Sequence, residues 1–269
     1  MSSYITHFKS PNYNDRAVGT NVEFLIMHYT GCDLITSLRT LTDGNSIYPT
    51  SSHYVIDEEG DIYLLVDEMY RAWHAGASRW HDLEDINSRS IGIELVHPEY
   101  GPHYKNFSSR QMKSLITLSH EILARHSIPP QHVLGHSDIA PLRKVDPGPL
   151  FDWQKLAHEG IGFYPEFKET IHLKDTDVKS SLNLLKNDKS EDQNLILQIQ
   201  QQLAIYGYPL EITGEVTEET ETVIRAFQMH FWPQCLDGKP SLDLKKRLEL
   251  LNQASHATDY KISHFKKAL

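Results

Sequence analysis

The sequence has few cysteines, no long apolar run and no excess of positive charge. Its two cysteines, Cys32 and Cys235, lie far apart and form no CxxC pair, so they neither require a disulfide framework nor exclude a single bond. No apolar run approaches the length of a transmembrane helix. The formal net charge of -10 argues against a general nucleic-acid binder, which usually presents a basic face.

The sequence does contain enough apolar and aromatic residues for a substantial core. Hydrophobic residues make up 39% of the 269 positions, which is typical of a globular chain. Short runs rich in β-forming residues alternate with amphipathic segments. Strands are predicted at 22–29, 54–57, 62–66, 90–96 and 133–134, and helices at 34–41, 108–125 and 152–159. This order predicts the α/β class, with a mixed central β-sheet flanked by helices.

The organisation of the chain changes near residue 172. Residues 172–193 are polar and charged, which favours a linker. Apolar residues then recur at helical spacing in three segments, so a small three-helix all-α domain is expected to follow the α/β domain. The predicted boundaries are 1–171 for the first domain, 172–193 for the linker, 194–254 for the helical domain and 255–269 for a C-terminal tail.

The segment 135–149, GHSDIAPLRKVDPGP, carries His136, Lys144 and Asp146 on a backbone that prolines and glycines make rigid. Such a loop is typical of side chains held for chemistry. A strand that ends at a glycine turn delivers His28, and the three side chains His28, His136 and Asp146 fit a zinc site with an open fourth position. Each residue taken alone is better explained as a surface residue or a hydrogen-bonded core residue. Two weaker alternatives are a His132–His136 pair and Cys32 as a ligand.

Glu94 is an anomaly because it interrupts an apolar strand, where a buried carboxylate is costly unless it is paired or functional. Alternation along the strand directs it away from the face of Ile91, Ile93 and Leu95. Beside a metal it fits a general base, although a structural salt bridge is an equal explanation for the residue in isolation. Lys144 fits a stabiliser of a developing oxyanion, or an ordinary exposed lysine.

Several motifs together resemble the N-acetylmuramoyl-L-alanine amidases of the amidase-2 type, which are related to peptidoglycan-recognition proteins. They are HYT at 28–30, SSHY at 51–54, AWHAG at 72–76, NSRSIGIEL at 87–95 and GHSDIAP with RKxDPGP at 135–149. The resemblance spans about residues 10–165. It implies one Zn²⁺ per chain held by His28, His136 and Asp146, with Glu94 as catalytic base and Lys144 as transition-state stabiliser. It also implies a substrate groove lined by His53, Trp73, His74, Ala75, Asn87 and Arg143.

Residues 195–252 resemble the three-helix peptidoglycan-binding domain, through LAIYGY at 203–208, GEVT at 214–217 and AFQ at 226–228. The two-domain layout is most similar to the outer-membrane-anchored amidases of Gram-negative bacteria. It therefore implies peptidoglycan or muropeptides as partners and a place in the cell envelope, with the cytoplasm as the alternative. Residues 1–9 lack the apolar segment of a secretory signal, so either this export route is not used or the sequence begins after a removed leader, and a lipid anchor outside it stays open.

The implied reaction is hydrolysis of the amide between N-acetylmuramic acid and L-Ala of the stem peptide, in intact or 1,6-anhydro muropeptides. Two other functions compete with it. A non-catalytic peptidoglycan receptor typically lacks a zinc ligand, whereas this chain has all three. A zinc peptidase that cuts within the stem peptide uses similar chemistry. The oligomeric state cannot be read from the sequence.

Overall fold

A computed structural model of the protein describes residues 3–167 and 189–267. The central sheet consists of six strands: β1 (Tyr4–Ile5), β3 (Phe24–Gly31), β4 (Tyr54–Ile56), β5 (Ile62–Leu64), β9 (Ser90–Pro98) and β10 (Val133–Gly135). They lie in the order β1-β5-β4-β9-β3-β10. Within this sheet only β4 and β5 pair antiparallel, and the remaining neighbours pair parallel. The predicted mixed sheet is therefore confirmed.

Two short antiparallel ribbons lie beside the sheet. One pairs β2 (Tyr13–Asp15) with β6 (Tyr70–Ala72), and the other pairs β7 (Arg79–Trp80) with β8 (Leu83–Glu84). The helices of the α/β domain, which we define as residues 3–167, are α1 (Leu34–Thr42), α2 (Ile86–Arg89), α3 (Ser109–Arg125), α4 (His136–Ile139) and α5 (Trp153–His158). Helix α4 differs from the expectation of an irregular loop at 135–149, because the first residues of that segment complete one helical turn before Pro141 ends it.

Helix α3 covers one face of the sheet, as its apolar spacing predicts. Its buried residues Met112, Leu115 and Ile122 pack in one cluster with the strand residues Leu25 and Ile93. The Ser108 hydroxyl caps the helix by accepting a hydrogen bond from the Gln111 backbone N–H at 3.1 Å. The Gln111 side chain does not return to the cap. Its amide instead donates to the Ile56 and Val96 carbonyls in the core, at 3.0 Å each.

The opposite face of the sheet meets a second set of helices. These are α6 (Lys189–Tyr206), α7 (Glu218–Phe231) and α8 (Leu242–Lys267), which form the helical domain, residues 189–267. Buried residues of both domains belong to one apolar cluster, including Phe24 and Trp80 from the α/β domain and Leu203 and Phe227 from the helical domain. The Thr217 side chain caps α7 by accepting a hydrogen bond from the Thr220 backbone N–H. The two domains are therefore packed on each other.

The described residues cover only parts of the predicted linker and tail. Most of the predicted linker, residues 172–188, lies outside the described residues, and residues 189–193 belong to α6. The predicted tail is helical up to Lys267, because α8 continues past residue 254 without a break. Both cysteines are free thiols. Within 3–167 and 189–267, none of the helices has the length and apolarity needed to cross a bilayer.

Candidate metal centre

Three neighbouring parallel strands deliver the key side chains to one edge of the sheet. His28 lies on β3, and the parallel register places Glu94 of β9 directly beside it. On the other side of β3, strand β10 ends at Gly135, and His136 follows as the first residue of α4. The carboxyl ends of adjacent parallel strands converge in this way at the sites of many α/β proteins. The Asp146 carbonyl accepts a hydrogen bond from the Ser137 N–H at 2.9 Å, which brings the end of the loop back to its start.

The three predicted metal ligands meet at this edge. His28 Nδ1 lies 3.0 Å from His136 Nδ1 and 3.0 Å from Asp146 Oδ2, and His136 Nδ1 lies 3.1 Å from the same carboxylate oxygen. Taken as whole residues, His28, His136 and Asp146 are 1%, 3% and 6% exposed. Donor atoms around a tetrahedral zinc ion lie about 3.3 Å apart, since Zn–N bonds are about 2.0–2.1 Å. The spacing therefore suits a small four-coordinate cation.

The hydrogen bonds behind these ligands assign the ring protons. Ser90 donates its hydroxyl to the Ile86 carbonyl at 2.6 Å, so its oxygen accepts from His74 Nε2 at 3.1 Å. His74 Nδ1 is then unprotonated and accepts from His28 Nε2 at 2.9 Å. In the same way, His136 donates from Nε2 to the Ala75 carbonyl at 3.0 Å.

Both Nδ1 atoms therefore present lone pairs to each other and to a carboxylate oxygen. Three electron-rich atoms about 3 Å apart, with no proton between them, repel one another unless a cation lies among them. Outer hydrogen bonds of this kind orient histidine ligands in metal sites. The group His28, His136 and Asp146 can thus hold a metal ion.

The electrostatic environment keeps His28 and Asp146 in the protonation states that bind metals. Burial, reinforced by His136, lowers the pKa of His28 to about 4, so the ring is neutral. Burial opposes ionisation of Asp146, but His136 and His28 hold the pKa of its carboxyl well below the ordinary value. A neutral imidazole and an ionised carboxylate are the forms that coordinate metals.

Glu94 lies beside His28 in the sheet but is not one of the three side chains that converge. Its Oε2 is inaccessible and has no hydrogen-bond partner among the described residues. Burial, and to a smaller extent the charge of Asp146, raises the pKa of Glu94 to about 8, while Lys144 acts in the opposite direction. A half-buried carboxyl with a raised pKa and an unpaired oxygen is suited to exchanging a proton with a substrate or a water molecule.

Lys144 and Arg143 extend the site on the side of the loop. The charge of Lys144 lowers the pKa values of both Glu94 and His28, so its ammonium acts on the same site. Arg143 donates to the carbonyls of Ala75 and Ala77. It also lines a cavity of about 640 Å³ between the domains, together with Gly76, Arg79, Ile139, Pro209 and Glu219.

Most of the other residues predicted to line the groove lie behind the metal ligands. Four of them, His53, His74, Ala75 and Asn87, are buried. The Asn87 amide oxygen accepts hydrogen bonds from the backbone N–H groups of His74 (3.0 Å) and Ala75 (2.8 Å), which holds this segment in place. Trp73 is half-buried and donates from its indole N–H to Asn14. Contact of these residues with a substrate stays a prediction.

His53 and His74 illustrate how tightly this layer is packed. His53 accepts from the Gly92 N–H through Nδ1 and donates from Nε2 to the Tyr70 carbonyl, at 3.0 Å each. Gly92 leaves room for the imidazole of His74, because a Cβ at this position would lie 2.5 Å from the ring. The glycine in the β9 strand is thus explained by close approach of a side chain.

The two alternative ligands lie outside the ligand group. His132 stacks on Phe24 with ring centroids 4.2 Å apart, and its Nδ1 lies 3.0 Å from the Glu23 carbonyl. The Cys32 thiol contacts the Ser37 hydroxyl at 3.3 Å.

Two supporting residues, Ser90 and Asp138, were given no role by the sequence analysis. Both belong to the motifs quoted above, but only their contacts indicate what they do.

Two parts of the chain match known families. Residues 18–149, which include all three predicted ligands, Glu94 and Lys144, match the family described as "N-acetylmuramoyl-L-alanine amidase". Residues 192–248 match the family described as "Putative peptidoglycan binding domain".

Individual relatives agree with these matches. The chain is 36% identical over 249 residues to the N-acetylmuramoyl-L-alanine amidase AmiD of Escherichia coli strain K12, covering 88% of this chain and 84% of AmiD. It is 31% identical over 166 residues to the 1,6-anhydro-N-acetylmuramyl-L-alanine amidase AmpD of Enterobacter cloacae, covering 56% of this chain and 87% of AmpD.

Solved structures show the same fold. The complex of E. coli AmiD with anhydro-N-acetylmuramic acid-L-Ala-D-gamma-Glu-L-Lys superposes with a TM-score of 0.70 at 34% identity, covering 89% of this chain and 92% of that one. AmpDH3 of Pseudomonas aeruginosa in complex with anhydromuramic pentapeptide also gives a TM-score of 0.70, at 32% identity, covering 87% and 92%. The chain therefore belongs to the N-acetylmuramoyl-L-alanine amidase family, which confirms the enzyme class predicted from its motifs.

Proposed function

We propose that the protein uses Zn²⁺ to hydrolyse the amide between the lactyl group of N-acetylmuramic acid and L-Ala of the peptidoglycan stem peptide. The observation that carries this proposal is the pairing of two features at one sheet edge. Three lone-pair donors converge within 3.1 Å of one another, and the unpartnered oxygen of Glu94 lies on the adjacent strand. A metal-assisted hydrolase needs both a ligand set and a separate base.

His28, His136 and Asp146 would hold the zinc ion and leave one coordination position open. When bound, the ion supplies a Lewis acid that polarises the scissile carbonyl and favours ionisation of a water molecule. His74 orients His28 through the hydrogen bond at 2.9 Å, and the Ala75 carbonyl orients His136. These outer contacts keep the ligand atoms pointed at one position before the substrate arrives.

Glu94 would take the proton of the attacking water and return it to the leaving amine. Burial raises the pKa of this carboxyl and the charge of Lys144 lowers it, and an adjacent cation would lower it further, so the group can both take up and release a proton. Lys144 would stabilise the negative charge that develops on the carbonyl oxygen, since its ammonium already acts electrostatically on Glu94. Trp73 and Arg143, which are not fully buried, would contact the sugar and the peptide. For His53, Ala75 and Asn87 we propose a supporting role in holding this surface.

The substrates would be muropeptides, including 1,6-anhydro forms, in the turnover and recycling of the cell wall. Two similar structures carry anhydromuramyl peptides, which supports this choice. The helical domain would hold the enzyme on peptidoglycan, which favours the cell envelope over the cytoplasm as its location.

The product of the reaction distinguishes this function from its competitors. The zinc-loaded protein is incubated with an anhydro-muramyl tripeptide and with an intact disaccharide tripeptide, and the products are identified by mass spectrometry. We expect free sugar and an unshortened peptide. Shortened peptides would indicate a peptidase, and binding without cleavage would indicate a receptor.

A further inference from the structure

The helical domain packs directly against the segment that carries the metal ligands. The indole of Trp80 is fully buried and lies edge-on to Tyr206 and Tyr208, with ring centroids 5.7 and 5.1 Å away. Gly207 between these tyrosines has a φ of +135°, and a Cβ there would overlap the indole. Its carbonyl accepts a hydrogen bond from the His81 N–H at 2.9 Å. The interface is therefore a close-packed core rather than a loose contact.

A single buried carboxylate connects this interface to helix α4. Asp138 is fully buried, and its side chain accepts three hydrogen bonds. One comes from its own turn, from the Gly135 N–H at 2.7 Å. The other two come from the helical domain, from the Tyr208 hydroxyl at 2.6 Å and from His230 Nδ1 at 2.8 Å. Burial, together with Asp138, raises the pKa of Tyr208 well above its ordinary value, so the phenol stays protonated as a donor.

The turn held by Asp138 is the one that positions the ligands. His136 begins this turn, and Gly135 before it pairs with Met27, the neighbour of His28 on β3. The next residue, Ser137, donates its N–H to the Asp146 carbonyl. A shift of the turn therefore changes the distances from His136 to both other ligands. Metal affinity is sensitive to such changes, because coordination tolerates deviations of only about 0.2 Å.

We infer that Tyr208 and His230 are positioning residues for the metal centre and act through Asp138. On this view the helical domain contributes to catalysis as well as to wall binding. The inference depends on the proposed function only because zinc is the metal chosen for its test. Loss of an outer-shell partner typically weakens metal binding by about 10- to 100-fold, and Asp138 is one step further from the ion. We therefore expect loss of the Tyr208 hydroxyl to weaken zinc binding by about tenfold, the lower end of this range.

The test compares matched variants of the full chain. Tyr208→Phe removes only the hydroxyl that reaches Asp138. Tyr164→Phe is the control, because its hydroxyl also crosses the interface, to the Phe231 carbonyl at 3.3 Å, without touching α4. His230→Ala removes the second donor, and His230→Asn restores an N–H close to the position of Nδ1. Zinc affinity is measured by competition with a chromophoric chelator, and the melting temperature of each metal-free form is recorded.

We expect Tyr208→Phe and His230→Ala to weaken zinc binding about tenfold, Tyr164→Phe to stay within twofold of the parent, and His230→Asn to recover most of the loss. On a muropeptide, kcat should fall with little change in KM. Zinc affinity of Tyr208→Phe within twofold of the parent would overturn the inference, as would an equal loss in Tyr164→Phe. If the parent binds zinc but cleaves no muropeptide, the proposed function fails while the affinity comparison still decides this inference.

Discussion

Replacement of Glu94 by glutamine separates proton transfer from metal binding. The carboxyl lies beside His28 in the parallel register, but it is not one of the three predicted ligands. Glutamine keeps the size of the side chain and removes its basicity. We therefore expect Glu94→Gln to retain zinc at the parent stoichiometry and to lose about 10²- to 10⁴-fold in kcat, the usual contribution of a general base.

The same substitution has a consequence for stability that can be worked out from the pKa. Burial raises the pKa of Glu94 from 4.5 to about 8, so the folded state resists ionisation of this group. Its contribution to stability is complete below pH 4.5 and is lost as the pH rises through 8. The metal-free Glu94→Gln protein should then be more stable than the metal-free parent at pH 8, by up to about 4 kcal/mol, and about equally stable at pH 4.

Zinc content by elemental analysis, steady-state kinetics on a muropeptide and urea unfolding in chelator at the two pH values measure these effects. Glu99→Gln is the matched control, since Glu99 is an exposed carboxylate just after the same strand. It should leave kcat and the pH dependence of unfolding unchanged. A Glu94→Gln protein with more than a tenth of the parent kcat would refute the assignment of the base.

Four further predictions concern other parts of the molecule. His136→Ala should lose the metal, which elemental analysis of the purified variant measures directly. Lys144→Ala should lower kcat by about 10²-fold, with zinc content unchanged and with partial recovery in Lys144→Arg. Although burial opposes it, hydrogen bonds from Arg125, Tyr54 and His126 lower the pKa of Glu68 to about 2. The stability that this group contributes is present above pH 4.5 and is lost as the pH falls through 2. The Glu68→Gln protein should therefore unfold at a lower urea concentration at pH 7. Its free energy of unfolding should also fall less than that of the parent as the pH is lowered. Gly207→Ala should lower the free energy of unfolding by about 1–3 kcal/mol through overlap with Trp80, and an unchanged melting temperature would contradict this packing.

The sequence was most informative where chemistry depends on local pattern. The apolar run before His28, the alternation around Glu94 and the Pro/Gly-rich segment after Gly135 each indicated a strand end or a rigid loop. Both strands are present, with β3 displaced by two residues at each end, whereas the expected loop begins with the helical turn α4. The partners of the Gln111 side-chain amide could not be predicted, because residue spacing does not reveal that the core carbonyls of Ile56 and Val96 accept its hydrogen bonds.

By itself, the sequence determined the fold class, the family and the set of residues able to bind a metal, because these depend on residue type and short-range spacing. The tertiary structure alone decided which of these side chains converge and which hydrogen bonds support them. The ring protons of His28 and His136 are set by contacts with Ser90 through His74 and with the Ala75 carbonyl. The link from α4 to the helical domain likewise joins residues 70 and 92 positions apart. Hydrogen-bond direction and close packing depend on distances between such remote segments, and no local pattern in the sequence encodes them.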